Sequence, residues 1–357
     1  MSGVAPERPL ASDDGVVCLA ARAVGRSGLR LTELSLGGAQ LGNLYRAITD
    51  EQACATVDAA WEGGIRYFDT APHYGLGLSE RRLGAALAGR PRGEYVLSTK
   101  VGRRLEPLSP PGEFDDEGFD VAATHRRVWD FSRDGVLRSL EESLGRLGVD
   151  AVDVVYLHDA DEYRREVLES AYPALEELRG QGVVRAIGAG MNQAAMLADF
   201  ARDTDMDVLM LAGRYTLLEQ SALDDLLRVC DGRGVGIVAA GVFNSGLLAS
   251  RAPADGAKYD YGDAPQALVA HAQRIAEICE RHGTSLPAAA LAFPLAHPAV
   301  VSVCVGARSP EQIERNIGLH RSVVSAAVWG ELKEQGLLRP DAPVPAGDRP
   351  GGSGDQP

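Results

Sequence analysis

Residues 66–75 read RYFDTAPHYG, an apolar-aromatic run that turns abruptly into acid, imidazole and phenol. The run IRYFD follows the breaker Gly63-Gly64 and predicts a buried strand over 65–69; Pro72 and Gly75 prevent its continuing as strand or helix. Asp69, His73 and Tyr74 therefore stand at a strand's C-terminal end. In a barrel of alternating strands and helices that is the end at which catalytic side chains are presented.

Outward from this stretch the same rhythm recurs. Upstream, LSLGG from Leu34 reads as a short strand with a Gly-rich turn, and Thr49 with Gln52 three residues on forms a capping box opening a helix over 49–62. Downstream, a helix over 79–88 capped by Ser79 leads to strand 95–99 (YVLST), which ends at Lys100. Residues 103–130 break the pattern with Pro107, Pro110, Pro111 and the acids 115–117, and predict a long irregular loop. Alternation then resumes: helix 132–147, strand 152–157, helix 165–180, strand 183–187, helix 193–203, strand 207–212, helix 219–232 and strand 235–240. A second loop, 243–264, precedes helix 266–282, strand 300–305 and helix 310–319.

Helical crossovers demand parallel strands, and eight such units close a barrel. The expected fold is an α/β (β/α)8 TIM barrel over residues 21–337, with a flexible extension over 1–20, an extra helix near 323–335 on the outside, and a disordered Pro/Gly-rich tail over 338–357. An open doubly wound sheet is disfavoured, because GGAQLG after the first strand lacks GxGxxG spacing and leads to no ribose-binding acid.

The balance of 36 basic against 50 acidic residues, a formal net charge of -14, argues against nucleic acid or an anionic membrane as partner. No apolar stretch approaches the roughly 20 residues of a membrane span and no signal pattern opens the chain, so the reading is a cytoplasmic protein. Five scattered cysteines, 18, 54, 230, 279 and 304, fit no metal or redox spacing, and most read as core thiols. No HxH pair occurs among the seven histidines, which disfavours a metal-dependent barrel hydrolase; no metal is expected.

Chemistry gathers at three strand ends: Asp69 and Tyr74, Lys100 in LSTK, and His158 in VVYLHD. Singly, a tyrosine is usually packing, a lysine usually solvated and a histidine usually a satisfied core group. Lys100 departs from this, because an ammonium closing the run YVLST is costly to bury without a carboxylate, and Asp69 on the adjacent strand suits that need. The set predicts Tyr74 as general acid/base with its pKa lowered by Lys100, Asp69 holding Lys100 charged, and His158 donating a hydrogen bond to a substrate oxygen. Such a site needs a separate hydride carrier.

YFDTAPHYG, LSTKVG and VYLHD resemble the Asp, Tyr, Lys and His tetrad of the aldo-keto reductase family, and the resemblance spans about residues 22–320. It implies a (β/α)8 barrel using NADP or NAD without a Rossmann motif. It also implies cofactor contacts from Asn192 in GAGMNQ and from Gly306, Ala307, Arg308, Gln312 and Asn316 in VGARSPEQIERN. The chain departs from the family pattern at Met191 for the usual serine, Ala212 for the usual glutamine, and Ala240 or Gly241 for the usual stacking aromatic, with Phe243 as a substitute. Arg308 could meet a 2′-phosphate or the diphosphate, which leaves NADP and NAD both open.

APHYGLGLSERRLG, VWDFSRDGVLRSLEESL, AGMNQ, AGRYTLLEQ and GVFNSGLLA resemble the family's aldose 1-dehydrogenase subgroup, of the L-fucose, D-threo-aldose and L-galactose type. This implies oxidation of an aldose at C1 to the lactone; the alternative is a pyridoxal 4-dehydrogenase or a general aldehyde or ketone reductase with the same tetrad. Phe131, Ser132, Arg133 and Asp134 are expected to shape the sugar pocket, with Tyr45, His73, Trp129 and Asn244 as further candidates. The expected partner is a small sugar or aldehyde, and the expected assembly a monomer or small homo-oligomer. A catalytically idle regulatory subunit is disfavoured by the intact tetrad.

Overall fold

The computed structural model describes residues 18–253, 256–260 and 262–346. Eight parallel strands close a barrel in strict chain order: β1 (Leu34–Gly37), β2 (Tyr67–Asp69), β3 (Val96–Val101), β4 (Val154–His158), β5 (Ala186–Met191), β6 (Val208–Ala212), β7 (Gly236–Ala240) and β8 (Val300–Gly306), with β8 pairing β1. Helices cover the outside, and the larger core lies between them and the strands. A smaller core fills the barrel, built from inward residues such as Tyr67, Tyr156, Val208, Met210 and Cys304.

The hairpin Ala21–Val24/Leu29–Thr32 closes the end at which the strands begin. Val24, Leu29 and Leu31 join the inner core, and Arg22 donates to the carbonyls of Leu295 and Val300. With that end plugged, the strands' C-terminal ends form the open mouth. No helix among the described residues is long and apolar enough to cross a membrane.

Several expected boundaries shift for physical reasons. β5 starts three residues later than 183 and runs through GAGM, whose glycines resemble a turn in sequence. At Gly188 a Cβ would lie 1.7 Å from the Val208 carbonyl oxygen, so glycine is there to let β5 and β6 approach. Gly188→Ala should cost about 3 kcal/mol by forcing those strands apart, read as a lowered denaturation midpoint. Helix 165–180 contains a π turn over Val167–Ala171, and the stretch 219–232 divides into Ser221–Leu223 and Leu226–Arg233. A helix absent from the sequence reading, Leu286–Ala292, is capped by Ser285. Thr49 caps Asp50–Glu62 as expected, but Ser79 does not cap its helix. It is buried, donating to the Gly38 carbonyl at 2.6 Å and meeting Thr70 Oγ1 at 2.8 Å, which ties the β1 and β2 loops together.

The stretch 103–130 is not irregular throughout. Arg103–Pro107 and His125–Trp129 pair as an antiparallel hairpin, held by Arg104–Asp130 and Arg126–Glu106 ion pairs. Its intervening segment reaches across the mouth to the loop after β1, where Tyr45 N–H donates to the Gly118 carbonyl and Asp120 N–H to the Asn43 carbonyl. Of the residues that suggest a loop, Pro110 and Pro111 lie in the segment joining the two strands, and Asp115 and Glu117 are ion-pair partners of Arg127 and Arg103 on them.

The outer helix is Ala326–Glu334, its Trp329 buried against Phe293. The packed chain extends past the expected start of the tail at 338: Leu338 and Ala342 are buried, and Arg339 pairs with Asp224 and Asp341. At the other end, Cys18 and Leu19 are already buried, so packing begins inside the expected 1–20 extension. Residues 1–17 and 347–357, which hold the rest of the extension and tail, lie outside the described residues. Four cysteines are buried, and Cys54 is exposed rather than a core thiol.

Candidate active site

β2 to β4 alternate in and out of the barrel, so residues two apart share the interior. Asp69, Lys100 and His158 are their uppermost inward side chains, and the turn after β2 folds Tyr74 back over them. Lys100 Nζ donates to Asp69 Oδ2 at 2.5 Å and to the Thr70 carbonyl at 3.1 Å. It lies 4.8 Å from the Tyr74 ring centroid. The His158 ring packs edge-on against Tyr74 with centroids 5.8 Å apart. The four residues expected from three strand ends thus share one cluster, with Asp69, Lys100 and His158 buried and Tyr74 partly buried over them.

Burial opposes the Lys100 ammonium, but Asp69 and Tyr74 outweigh it and hold its pKa above the usual lysine value. Tyr74 behaves differently from expectation: burial pushes its pKa up to about 12, against the downward pull of Lys100. The ammonium does favour the phenolate, as argued from sequence, but desolvation is the larger effect. The His158 pKa is driven well below the usual value by burial and then by Arg103 and Lys100, so its imidazole is neutral and able to donate one N–H. His73, partly buried, is lowered to about 2 by desolvation and then by Arg103 and Arg127.

These two histidines set a pH dependence. Folded, both hold protons less readily than the unfolded chain with its value near 6.5, so unfolding takes up protons below that pH and stability falls with acidification. Each contributes a slope of up to about 1.4 kcal/mol per pH unit. Denaturant midpoints should fall from pH 6.5 to 4.5, with a shallower fall for His73→Gln; identical slopes for the two proteins would refute the burial effect.

Above Tyr74 stands a polar rim whose charged members, Arg103, Arg127, Asp115, Glu117 and Asp159, the sequence reading missed. Arg103 lies with its guanidinium carbon 4.3 Å from the Trp129 ring centroid, bonds Asp159, and faces His73 Nδ1 at 3.3 Å and Glu117 at 3.3 Å. Arg127 grips Asp115 at 2.5 Å and donates to the His73 carbonyl at 3.0 Å, while Phe119 packs edge-on to His73. The available signal was the arginines at the two ends of the 103–130 stretch, facing its central acids.

The expected pocket residues divide. His73 and Trp129 belong to this rim. Arg133 does not: it starts the helix Arg133–Leu147 and its guanidinium pairs with Glu177 at 2.5 Å, so it is withdrawn as a substrate contact. Ser132 caps that helix and Asp134 occupies its exposed first turn. Phe131 is buried beneath the rim against Trp129 and Tyr163.

Beside the tetrad runs a cleft of about 420 Å³, lined by Gln40, Tyr45, Asn192, Ala212, Phe243, Asn244, Gly306, Arg308, Gln312, Arg315 and Asn316 among others. Tyr74, Lys100 and His158 do not line it; Cys304, interacting electrostatically with Asp69 and Lys100, links the two. Ala307 is fully buried at the turn after β8 and is not among the lining residues. Gly213, Gly241 and Gly246, all at positive φ, are among its lining residues. Asn244 Oδ1 and Arg308 Nε are buried without a protein partner, and Ser309 makes no side-chain cap on the helix Pro310–Arg321. Orphaned polar atoms, an uncapped helix N-terminus and nearby guanidiniums fit a phosphate-bearing dinucleotide. Met191 is buried at the end of β5, while Phe243 lines the cleft where the sequence lacks its usual aromatic.

The Aldo/keto reductase family model matches residues 33–336, the whole barrel and the outer helix. The chain belongs to the aldo/keto reductase family. It is accordingly an oxidoreductase acting on CH–OH groups of a small-molecule substrate, in a family that uses NAD(P)H. It is 47% identical to a D-threo-aldose 1-dehydrogenase from Pseudomonas sp, across 88% of this chain and 97% of the relative. A pyridoxal 4-dehydrogenase from Microbacterium luteolum is 41% identical across 89% and 97%. An L-galactose dehydrogenase from Arabidopsis thaliana is 32% identical across 83% and 86%. Among solved structures, an aldo-keto reductase from Bacillus halodurans in its holo form superposes with TM-score 0.71 at 26% identity, covering 90% of this chain and 97% of that one.

Proposed function

We propose that this aldo/keto reductase oxidises an aldose of the L-fucose or D-threo type at C1 to the lactone. The observation that carries the reading is Tyr74 set on the buried Lys100, Asp69 and His158 under a polar rim of Arg103, Asp159, Glu117 and His73, a lining suited to several hydroxyls rather than to an apolar carbonyl compound. The identity to a D-threo-aldose 1-dehydrogenase supports it.

In this reading Asn192, Gly306, Ala307, Arg308, Gln312 and Asn316 hold NAD or NADP, with Ala307 contributing only backbone. A nicotinamide held there would supply the acceptor for the C1 hydride. Tyr74 as phenolate removes the proton of the anomeric hydroxyl, Lys100 stabilises the phenolate, and Asp69 keeps Lys100 charged and aimed. His158 donates its N–H to the same oxygen and fixes its position. Because burial raises the Tyr74 pKa, oxidation should accelerate as pH rises through the alkaline range, whereas reduction, which needs the phenol, should slow. Trp129, Tyr45 and Asn244 complete the sugar and cofactor walls.

A second reading is favoured by the aromatic pair Phe119 and Trp129 at the rim, which suits a flat ring, and by the 41% relative: oxidation of pyridoxal. Absorbance of reduced nicotinamide with L-fucose, D-arabinose, L-galactose and pyridoxal, each under NAD and NADP, separates them. Turnover of the sugars is expected; turnover of pyridoxal or of simple aldehydes in reverse, with none of the sugars, would reject the aldose reading.

A further inference from the structure

One turn of the strand pattern below the catalytic cluster lies a second inward layer. Tyr67, Ser98 and Tyr156 are the residues two positions before Asp69, Lys100 and His158 on β2, β3 and β4, and all three are fully buried. Their hydroxyls run in a line: Ser98 Oγ to Asp69 Oδ1 at 2.7 Å, Tyr67 Oη to Ser98 Oγ at 3.1 Å, and Tyr156 Oη to Tyr67 Oη at 3.0 Å.

The direction of this line follows from proton counting. A carboxylate only accepts, so the one Ser98 hydroxyl proton is committed to Asp69. Ser98 must then accept from Tyr67, whose only proton is thereby used, and Tyr67 must accept from Tyr156. Every donor points toward Asp69, and such a chain polarises each hydroxyl in turn. Burial keeps both phenols protonated, with their pKa values well above the ordinary one.

Oδ2 of Asp69 is engaged by Lys100 and Oδ1 by this chain, so the two oxygens have different tasks. The negative charge of Asp69 raises the pKa of Tyr74, and hydroxyl donation to Oδ1 offsets part of that charge. We propose that Ser98, Tyr67 and Tyr156 are positioning residues, a one-way chain of donors that fixes the Asp69 carboxylate on Lys100 and sets the pH at which Tyr74 exchanges its proton. The proposal rests on the assignment of Tyr74 as proton carrier.

The test is the pH profile of kcat for Ser98→Ala and for Tyr67→Phe, which keeps the ring and loses only its oxygen. The limb should move upward in both, by about one pH unit for Ser98→Ala, which lowers oxidation at neutral pH about ten-fold. Tyr67→Phe, acting through Ser98, should shift it less in the same direction. A limb that stays in place or moves down, even with a lowered melting temperature, would make these residues merely structural and overturn the proposal. So would a shift confined to Ser98→Ala. If Ser98→Ala does not fold, Tyr67→Phe alone decides. The limb is also readable in aldehyde reduction, so failure of the sugar reading leaves the test standing. Failure of the Tyr74 assignment would show separately, as an unchanged limb in Tyr74→Phe.

Discussion

Tyr74→Phe should lose about 10²–10⁴-fold in turnover while its affinity for the nicotinamide cofactor is unchanged. The ring sits against Lys100, His158 and His73, and those contacts survive the loss of the hydroxyl, so the fold and the adjoining cleft are preserved. What disappears is the side chain's only ionisable group, which is the one that exchanges a proton with the substrate oxygen in this scheme. Turnover by steady-state absorbance and cofactor binding by quenching of intrinsic fluorescence give the two halves of the result. Retained turnover would remove Tyr74 from the chemistry; lost cofactor binding would show that the substitution damaged more than proton transfer.

Lys100→Met should be the most destabilising change at the site. Lys100 and Asp69 are each about 2% exposed, and removing the ammonium leaves a carboxylate buried with Ser98 as its remaining side-chain donor. Breaking a buried pair from one side costs about 3–5 kcal/mol, whereas replacing both partners by groups of similar volume is far less costly. The double variant Lys100→Met with Asp69→Leu should therefore recover much of the lost denaturation free energy and none of the activity. That cycle separates the two roles of the pair. Additive losses in the double variant would mean that the two charges do not depend on each other.

The barrel was legible because its signals are local. Gly63-Gly64, Thr49 with Gln52 and the short apolar runs at 95–99 and 152–157 each mark one element, and eight alternations leave few closed topologies. The cluster was legible because Asp69, Lys100 and His158 sit at the ends of apolar strands, where a polar residue is conspicuous, and Tyr74 follows Asp69 in the turn. The shift of β5 was not, since GAGM carries the composition of a turn and the reason for its glycines, the closeness of the β6 backbone, exists only in the folded barrel.

Other features lay in pairings that sequence spacing does not carry. Arg103 meets Asp159 and Glu117, and Arg127 meets Asp115, across hairpin and loop. Arg133 was expected in the pocket from the resemblance carried by VWDFSRDGVLRSLEESL, yet helix geometry turns it outward to Glu177. Tyr67, Ser98 and Tyr156 were visible only as strand residues. Their common layer depends on the register of β2, β3 and β4. The Tyr74 pKa reversed in direction because burial, which outweighs Lys100, depends on the loop that covers the site.

The most direct measurement of the central claim is the fate of the C1 hydrogen in L-fucose deuterated at that carbon. Oxidation under the preferred cofactor should deliver the deuterium to C4 of the nicotinamide, detectable by mass and NMR, with the lactone as first product. Deuterium retained in the sugar product or released to water, or no oxidation of the labelled sugar at all, would contradict the account.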